Sequence, residues 1–123
     1  MKAVLDSDVL IDYLQGVPEA REELARYRQP HFSVISFIEL HCGARDADES
    51  RAVDRLLDSL TRVDLSEEIA RRAVELRKAL RLKLPDAVVL ASAEVEGCIL
   101  VTRNRRDFPA DDPRVRFPYP LYA

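Results

Sequence analysis

The sequence predicts an α/β protein built on a mainly parallel sheet with helices on both faces. Three observations carry this. Short apolar runs of strand type, at 2–5, 31–34, 62–65, 98–102 and 115–117, alternate with longer segments of helical periodicity. Several helical segments open on capping residues or proline, and three close near Gly16, Gly43 and Gly97. No internal repeat, low-complexity segment or linker divides the 123 residues, so a single domain over 1–123 is expected.

Taken in order, Lys2 to Leu5 is the first strand and stops at Asp6-Ser7. Ser7 or Asp8 is placed to cap a helix with Val9, Leu10, Tyr13 and Leu14 on one face and Gly16 at its end. Pro18 and the acidic Glu19, Glu22 and Glu23 suit the first turn of a second helix, expected to run to about Arg28 and to be broken by Gln29-Pro30. His31 to Val34 follows as a strand and Ile35 to Ala44 as a helix closed near Gly43. Asp46 to Leu60 is amphipathic, with Val53, Leu56, Leu57 and Leu60 at helical spacing. After the brief strand Arg62 to Leu65, Ser66-Glu67-Glu68 starts a long helix with Ile69, Ala73, Leu76 and Leu80 on one stripe. Pro85 sits in the first turn of another helix that stops at Gly97, and its alanines (Ala87, Ala91, Ala93) allow close packing. Cys98 to Thr102 reads as a buried strand and Val115 to Phe117 as a last short one before a proline-rich tail.

Composition narrows the function classes. An apolar fraction of 47% fits a globular domain with a real core. No apolar run approaches the ~18 residues of a membrane span, and the N-terminus lacks the pattern of a signal peptide, so a cytoplasmic protein is expected. Cys42 and Cys98 lie in apolar segments without a C-x-x-C pair and read as buried reduced thiols. His31 and His41 lack zinc-site spacing with each other or with the cysteines. The net charge of −3 argues against nucleic-acid binding through global positive charge, but not against a local basic rim. Arg103, Arg105 and Arg106 form the densest basic cluster, either a solvated loop or a phosphate contact.

Four carboxylates stand where carboxylates are costly. Asp6 ends Ala3-Val4-Leu5, Glu39 lies inside the apolar run 34–40, Asp86 opens the apolar run 87–91, and Asp107 follows the strand 98–102. An ionised carboxylate in apolar surroundings needs a counter-charge or a metal. Glu39 shares a helix side with Ile35 and Cys42. Asp86 alone would suit a helix start, and Asp6 alone a cap. Together the four point to one cation, and clustered carboxylates without one repel each other and have raised pKa values. Hard oxygen donors select Mg²⁺ or Mn²⁺, and such a site suits phosphodiester hydrolysis. In a parallel α/β sheet the site is expected outside the carboxyl ends of the strands, where Asp6 and the segment 102–107 fall.

The segments Leu5-Asp6-Ser7-Asp8-Val9-Leu10-Ile11, Ile35-Ser36-Phe37-Ile38-Glu39-Leu40, Leu84-Pro85-Asp86-Ala87 and Val101-Thr102-Arg103-Asn104-Arg105-Arg106-Asp107-Phe108 resemble the PIN-domain family, and more closely its VapC-type toxins. The resemblance implies a three-layer α/β/α sandwich and a Mg²⁺-dependent endoribonuclease (Mn²⁺ as an alternative metal) inhibited by a cognate VapB-type antitoxin. It carries Asp6, Glu39, Asp86 and Asp107 over as the acidic site, with Asp6 and Asp86 as direct metal ligands. Glu39 would complete the metal shell or position the attacking water. Ser7 and Asn104, with Arg103 and Arg105 from the basic cluster, would orient ligands or substrate phosphate. Two departures stand out. Asp8 occupies a position that more often holds asparagine or a small polar residue, and it either joins the site or, the favoured reading, caps the first helix. The connection before Asp86 is short and carries Lys83. A homodimer surface and an antitoxin groove are expected among the apolar residues of the early helices and of 46–60. The competing functions are a PIN-type nuclease acting in RNA processing or on DNA outside a toxin pair, and a non-catalytic antitoxin-binding module.

Overall fold

The computed structural model describes residues 1–120; the last three positions of the expected domain, within its proline-rich tail, lie outside the described residues. The chain runs β1 (Lys2–Leu5), α1 (Ser7–Leu14), α2 (Pro18–Ala25), β2 (Gln29–Ser33), α3 (Val34–Gly43), α4 (Ala47–Asp58), β3 (Thr61–Val63), α5 (Glu67–Leu80), α6 (Leu84–Val95), β4 (Ile99–Val101) and β5 (Val115–Arg116). The five strands form one sheet in the order β3-β2-β1-β4-β5, every neighbouring pair parallel.

Strand alternation sorts the core into two layers. Ala3 and Leu5 of β1 and Val101 of β4 face a cluster with α1, α2, Leu40 of α3 and α4. Val4 and Leu100 face the opposite cluster, with α5 and α6. The result is the expected three-layer α/β/α sandwich. α6 runs through the second layer with every residue from Ala87 to Ala93 buried. Each buried Val or Leu there contributes roughly 1.5–3 kcal/mol, and the intervening alanines let α5 pack closely. The short edge strand β5 is tied to α2 by polar contacts. Arg116 Nε and Nη2 donate to the buried Glu23 at 2.8 and 3.1 Å, and the Tyr27 hydroxyl donates to the same carboxylate at 2.6 Å.

Several boundaries differ from expectation: Val34 opens α3 rather than ending a strand, β3 is Thr61–Val63 rather than 62–65, β4 and β5 are shorter than 98–102 and 115–117, and the largest change is around Gln29-Pro30. α2 ends at Ala25, and Gln29-Pro30 belongs to β2 rather than breaking a helix. Gln29 N donates to Met1 O at 3.3 Å, so the next nitrogen, that of Pro30, points to the other side of the strand. There β3 begins its pairing only at His31, and the missing proline N–H costs no ladder bond. The thiols also differ: Cys42 is exposed and Cys98 half-buried, both free, because Cys42 lies on the outer side of α3.

The strand order places β1 and β4 side by side with their connections leaving in opposite directions along the sheet. This is the switch point at which a crevice opens beyond the carboxyl ends of parallel strands.

Candidate active site

Asp6 sits directly beyond β1, where its N–H still joins the ladder by donating to Val101 O at 2.9 Å. Its backbone is extended (φ −72°, ψ 161°), and its side chain caps α1 by accepting from Ser7 N at 2.8 Å. The cap is therefore Asp6, not Ser7 or Asp8, because an N-cap residue must precede the first helical dihedrals. The second Asp6 oxygen accepts from Thr102 Oγ1 at 2.8 Å, and Thr102 is fully buried at the end of β4. Asp8, in the first turn of α1, turns to the same place. Its Oδ2 accepts from Arg103 N at 3.1 Å and approaches Thr102 Oγ1 at 3.3 Å. Its Oδ1 is buried with no hydrogen-bond partner.

Glu39 arrives from α3. Ser7 Oγ lies 2.7 Å from Glu39 Oε1 and 2.8 Å from Ser36 Oγ. With a single proton to give, Ser7 donates to the carboxylate and accepts from the buried Ser36. Glu39 does not lie on the apolar face expected from its neighbours. Ser36 and Leu40 turn inward, while Glu39 is exposed. Asp86, half-buried in the first turn of α6, lies close enough to Asp107 for that carboxylate to raise its pKa. Asp107 is held by Asn104, which donates from Nδ2 at 2.8 Å and accepts the Asp107 N–H at 3.2 Å. Lys83 Nζ stands 3.4 Å from the same carboxylate.

The electrostatics join these groups. Asp6 is pushed up to about 7, by burial first and then by the charges of Asp8 and Asp86, against the hydrogen bonds from Thr102 and Ser7. Asp86 is pushed up to about 6, by burial and then by Asp107 and Glu39, with Lys83 opposing. Asp8 is raised by burial against the pull of Arg103. Asp107 is held low, chiefly by the Asn104 hydrogen bond. Among the described residues no three ligating side chains stand close enough to form a ready-made metal cage. Mg²⁺ does not require one, since it is held by one or two carboxylates and keeps several waters. Hard oxygen donors, mutual repulsion and the orphaned Asp8 oxygen together fit such an ion.

Two of the expected phosphate contacts have other partners. Arg103 turns inward, its Nε and Nη2 at 2.5 and 3.2 Å from the buried Asp12, to which the Tyr119 hydroxyl also donates at 2.8 Å. The Arg105 guanidinium lies 4.6 Å over the Phe117 ring. Sequence reasoning missed Thr102, Ser36, Asp12 and Tyr119. The available signal was Asp12, a carboxylate one helical turn after Asp8 and beside the apolar face of α1. The histidines lie apart from the site, His31 on Gln29 O and His41 between Ser50 and Asp54. A groove of about 470 Å³ opens beside Glu39, lined by Ile11, Leu14, Leu40, Ala44 and Val53 among others.

Comparison with known proteins accords with this geometry. The PIN domain family model matches residues 3–110. Ribonuclease VapC10 of Mycobacterium tuberculosis (strain H37Rv) is 40% identical over 114 residues, covering 86% of this chain and 85% of that protein. A chain in a toxin–antitoxin complex from Klebsiella pneumoniae superposes with a TM-score of 0.89 at 35% identity, over 97% of this chain and 99% of that one. A DNA-bound VapBC from Salmonella typhimurium, at 24% identity and a TM-score of 0.78 over 94% of this chain and 96% of that one, shares the fold.

Proposed function

This chain belongs to the PIN-domain family, and on that premise we propose that it is the ribonuclease toxin of a VapBC-type toxin–antitoxin pair. It is a metal-dependent endoribonuclease. One observation supports the chemistry: carboxylates just beyond β1, in α3, in α6 and in the loop after β4 influence one another electrostatically, with Asp6 and Asp86 raised toward neutrality.

Asp6 and Asp86 would hold the cation, which we assign as Mg²⁺. When bound, the ion offsets charge on the scissile phosphate and acidifies water. The protein's own groups do the rest. Ser7, anchored on Ser36, fixes one Glu39 oxygen and leaves the other to accept a proton from the attacking water. Thr102 holds Asp6 from behind, and Asn104 holds Asp107 beside Asp86.

The groove beside Glu39 supports an antitoxin segment as partner, with apolar walls for its side chains and acids at its end for an antitoxin arginine. A homodimer is part of the same proposal, as the large apolar Ile38 and Leu84 remain 52% and 61% exposed. So are a single nuclease domain over 1–123 and a cytoplasmic location. No described helix is long and apolar enough to cross a membrane.

The test is cleavage of total RNA by the purified protein with Mg²⁺, against EDTA and an Asp86→Asn control. Discrete cleavage requiring both the metal and Asp86 is expected. No cleavage by a folded, partner-free preparation with either Mg²⁺ or Mn²⁺ would sink the assignment.

A further inference from the structure

An active site made of carboxylates repels the polyanion it cuts, so the protein must supply positive charge along the approach. Most of its arginines are already engaged. Arg45, Arg51, Arg62, Arg71, Arg72, Arg114 and Arg116 pair with acids, Arg103 is buried on Asp12, and Arg105 covers Phe117.

The end of α5 is different. Residues 77–83 read Arg-Lys-Ala-Leu-Arg-Leu-Lys, four basic side chains and no acid in a chain of net charge −3. Lys78 and Arg81, both exposed, have no acidic partner among the described residues, and Arg77 donates to Leu82 O at 3.4 Å. A favourable interaction with the helix dipole accounts for Arg77 and Lys78 in the last turn. It does not account for Arg81 or Lys83, which lie beyond the helix. Arg81 is moreover the only non-glycine described residue with positive φ (φ 55°, ψ 37°), at a helix end where glycine is the low-energy choice. The direction of the row is also informative. Arg77, Lys78 and Arg81 line one shallow cleft with the exposed Val74. Two residues on, Lys83 reaches Asp107 of the catalytic set, and Asp86 follows three residues later.

We propose that Lys78, Arg81 and Lys83 form a track that carries the phosphodiester backbone of single-stranded RNA from the end of α5 to the carboxylate site. The contacts are to phosphate, so the track confers affinity and direction without reading sequence. The exposed Val74 supplies an apolar surface for a ribose or base face. This inference rests on the ribonuclease reading of the site, and its test separates the two.

The probe is a fluorescein-labelled single-stranded RNA 20-mer of mixed sequence. Its binding to the full chain is followed by anisotropy with Ca²⁺ in place of Mg²⁺, over a range of KCl concentrations. Lys78→Gln/Arg81→Gln is compared with wild type and with Arg28→Gln/Arg55→Gln. The control pair is exposed, lies in and next to helices of the opposite layer, and changes net charge equally. Melting temperatures verify folding. Two lost phosphate contacts lower the slope of log K against log salt by about 1.4 and the affinity on the order of 10-fold near 0.1 M salt. The expected result is that loss in the track variant alone, together with a higher KM and an unchanged kcat for RNA cleavage.

Unchanged affinity and slope, or equal losses in the control pair, would overturn the track. So would tighter track-dependent binding of a duplex DNA 20-mer than of the RNA. Track-dependent RNA binding by a protein that cleaves no RNA would leave the track standing and remove the nuclease assignment instead.

Discussion

Asp12→Ala is the most demanding test of how the loop after β4 is held. Asp12 and Arg103 have side chains only 10% and 16% exposed. The substitution removes two guanidinium hydrogen bonds at 2.5 and 3.2 Å and the Tyr119 hydroxyl bond at 2.8 Å. Removing one partner of a buried ion pair typically costs about 3–5 kcal/mol, because the other charge is left uncompensated. Arg103 retains some access to water, which places the expected loss near the lower end, about 3 kcal/mol. With a urea m-value of roughly 1.5–2 kcal/mol/M for a domain of this size, the unfolding midpoint falls by about 1.5–2 M. Asp12→Ala/Arg103→Ala should lose less than the two single variants summed, since no unpaired charge remains. Tyr119→Phe should lose about 1 kcal/mol. The consequence reaches the site, because the Arg103 N–H rests on Asp8 and the preceding Thr102 on Asp6. A loss below about 1 kcal/mol in Asp12→Ala, or strict additivity in the double variant, would refute the view that this buried contact organises the loop.

Two further predictions concern charge and positioning. Asp6 and Asp86 have folded pKa values raised to about 7 and about 6. The folded protein therefore binds more protons than the unfolded chain between about pH 4 and 7, and these groups make it less stable as pH rises through that window. Thermal melts in EDTA should accordingly show Asp6→Asn gaining on wild type as pH rises from 5 to 8, and Mg²⁺ raising the wild-type melting temperature more at pH 8 than at pH 5. A pH-independent difference would contradict the assigned protonation. Ser7→Ala should leave the Asp6 cap intact, because the backbone N–H makes it, while Glu39 loses its anchor. Steady-state kinetics should show kcat falling on the order of 10-fold with little change in Mg²⁺ affinity, and an unchanged kcat would remove Glu39 positioning from the mechanism.

Much of the alternation of strands and helices was legible because it follows from local chemistry: the capping serine at 66, Pro18 and Pro85 in first turns, glycines at 16 and 97 with positive φ. What the sequence misplaced depends on the surroundings. Pro30 reads as a breaker unless it is known that β3 pairs only beyond it. Glu39 and Cys42 lie in an apolar run whose inward stripe is set by packing of α3 against its neighbours, which selects Ser36 and Leu40. Asp6 and Asp86 stand out because their cost is local, whereas Glu39 is exposed and Asp8 and Arg103 could not be assigned partners without the third dimension. An arginine in a basic run looks alike whether it faces solvent or turns back onto a buried aspartate 91 residues away.

The Asp6–Thr102 hydrogen bond spans 96 positions, and β1 occupies the middle of the sheet although it is the first strand in the chain. During synthesis β1 emerges early and waits with one edge open until β4 arrives. Local helices form on either side well before then, since short-range contacts close fastest. Until the segment 99–107 has left the ribosome, Asp6 lacks the hydroxyl behind it and Asp86 lacks the neighbouring charge of Asp107. The acidic set is thus complete only once the last strands have been made.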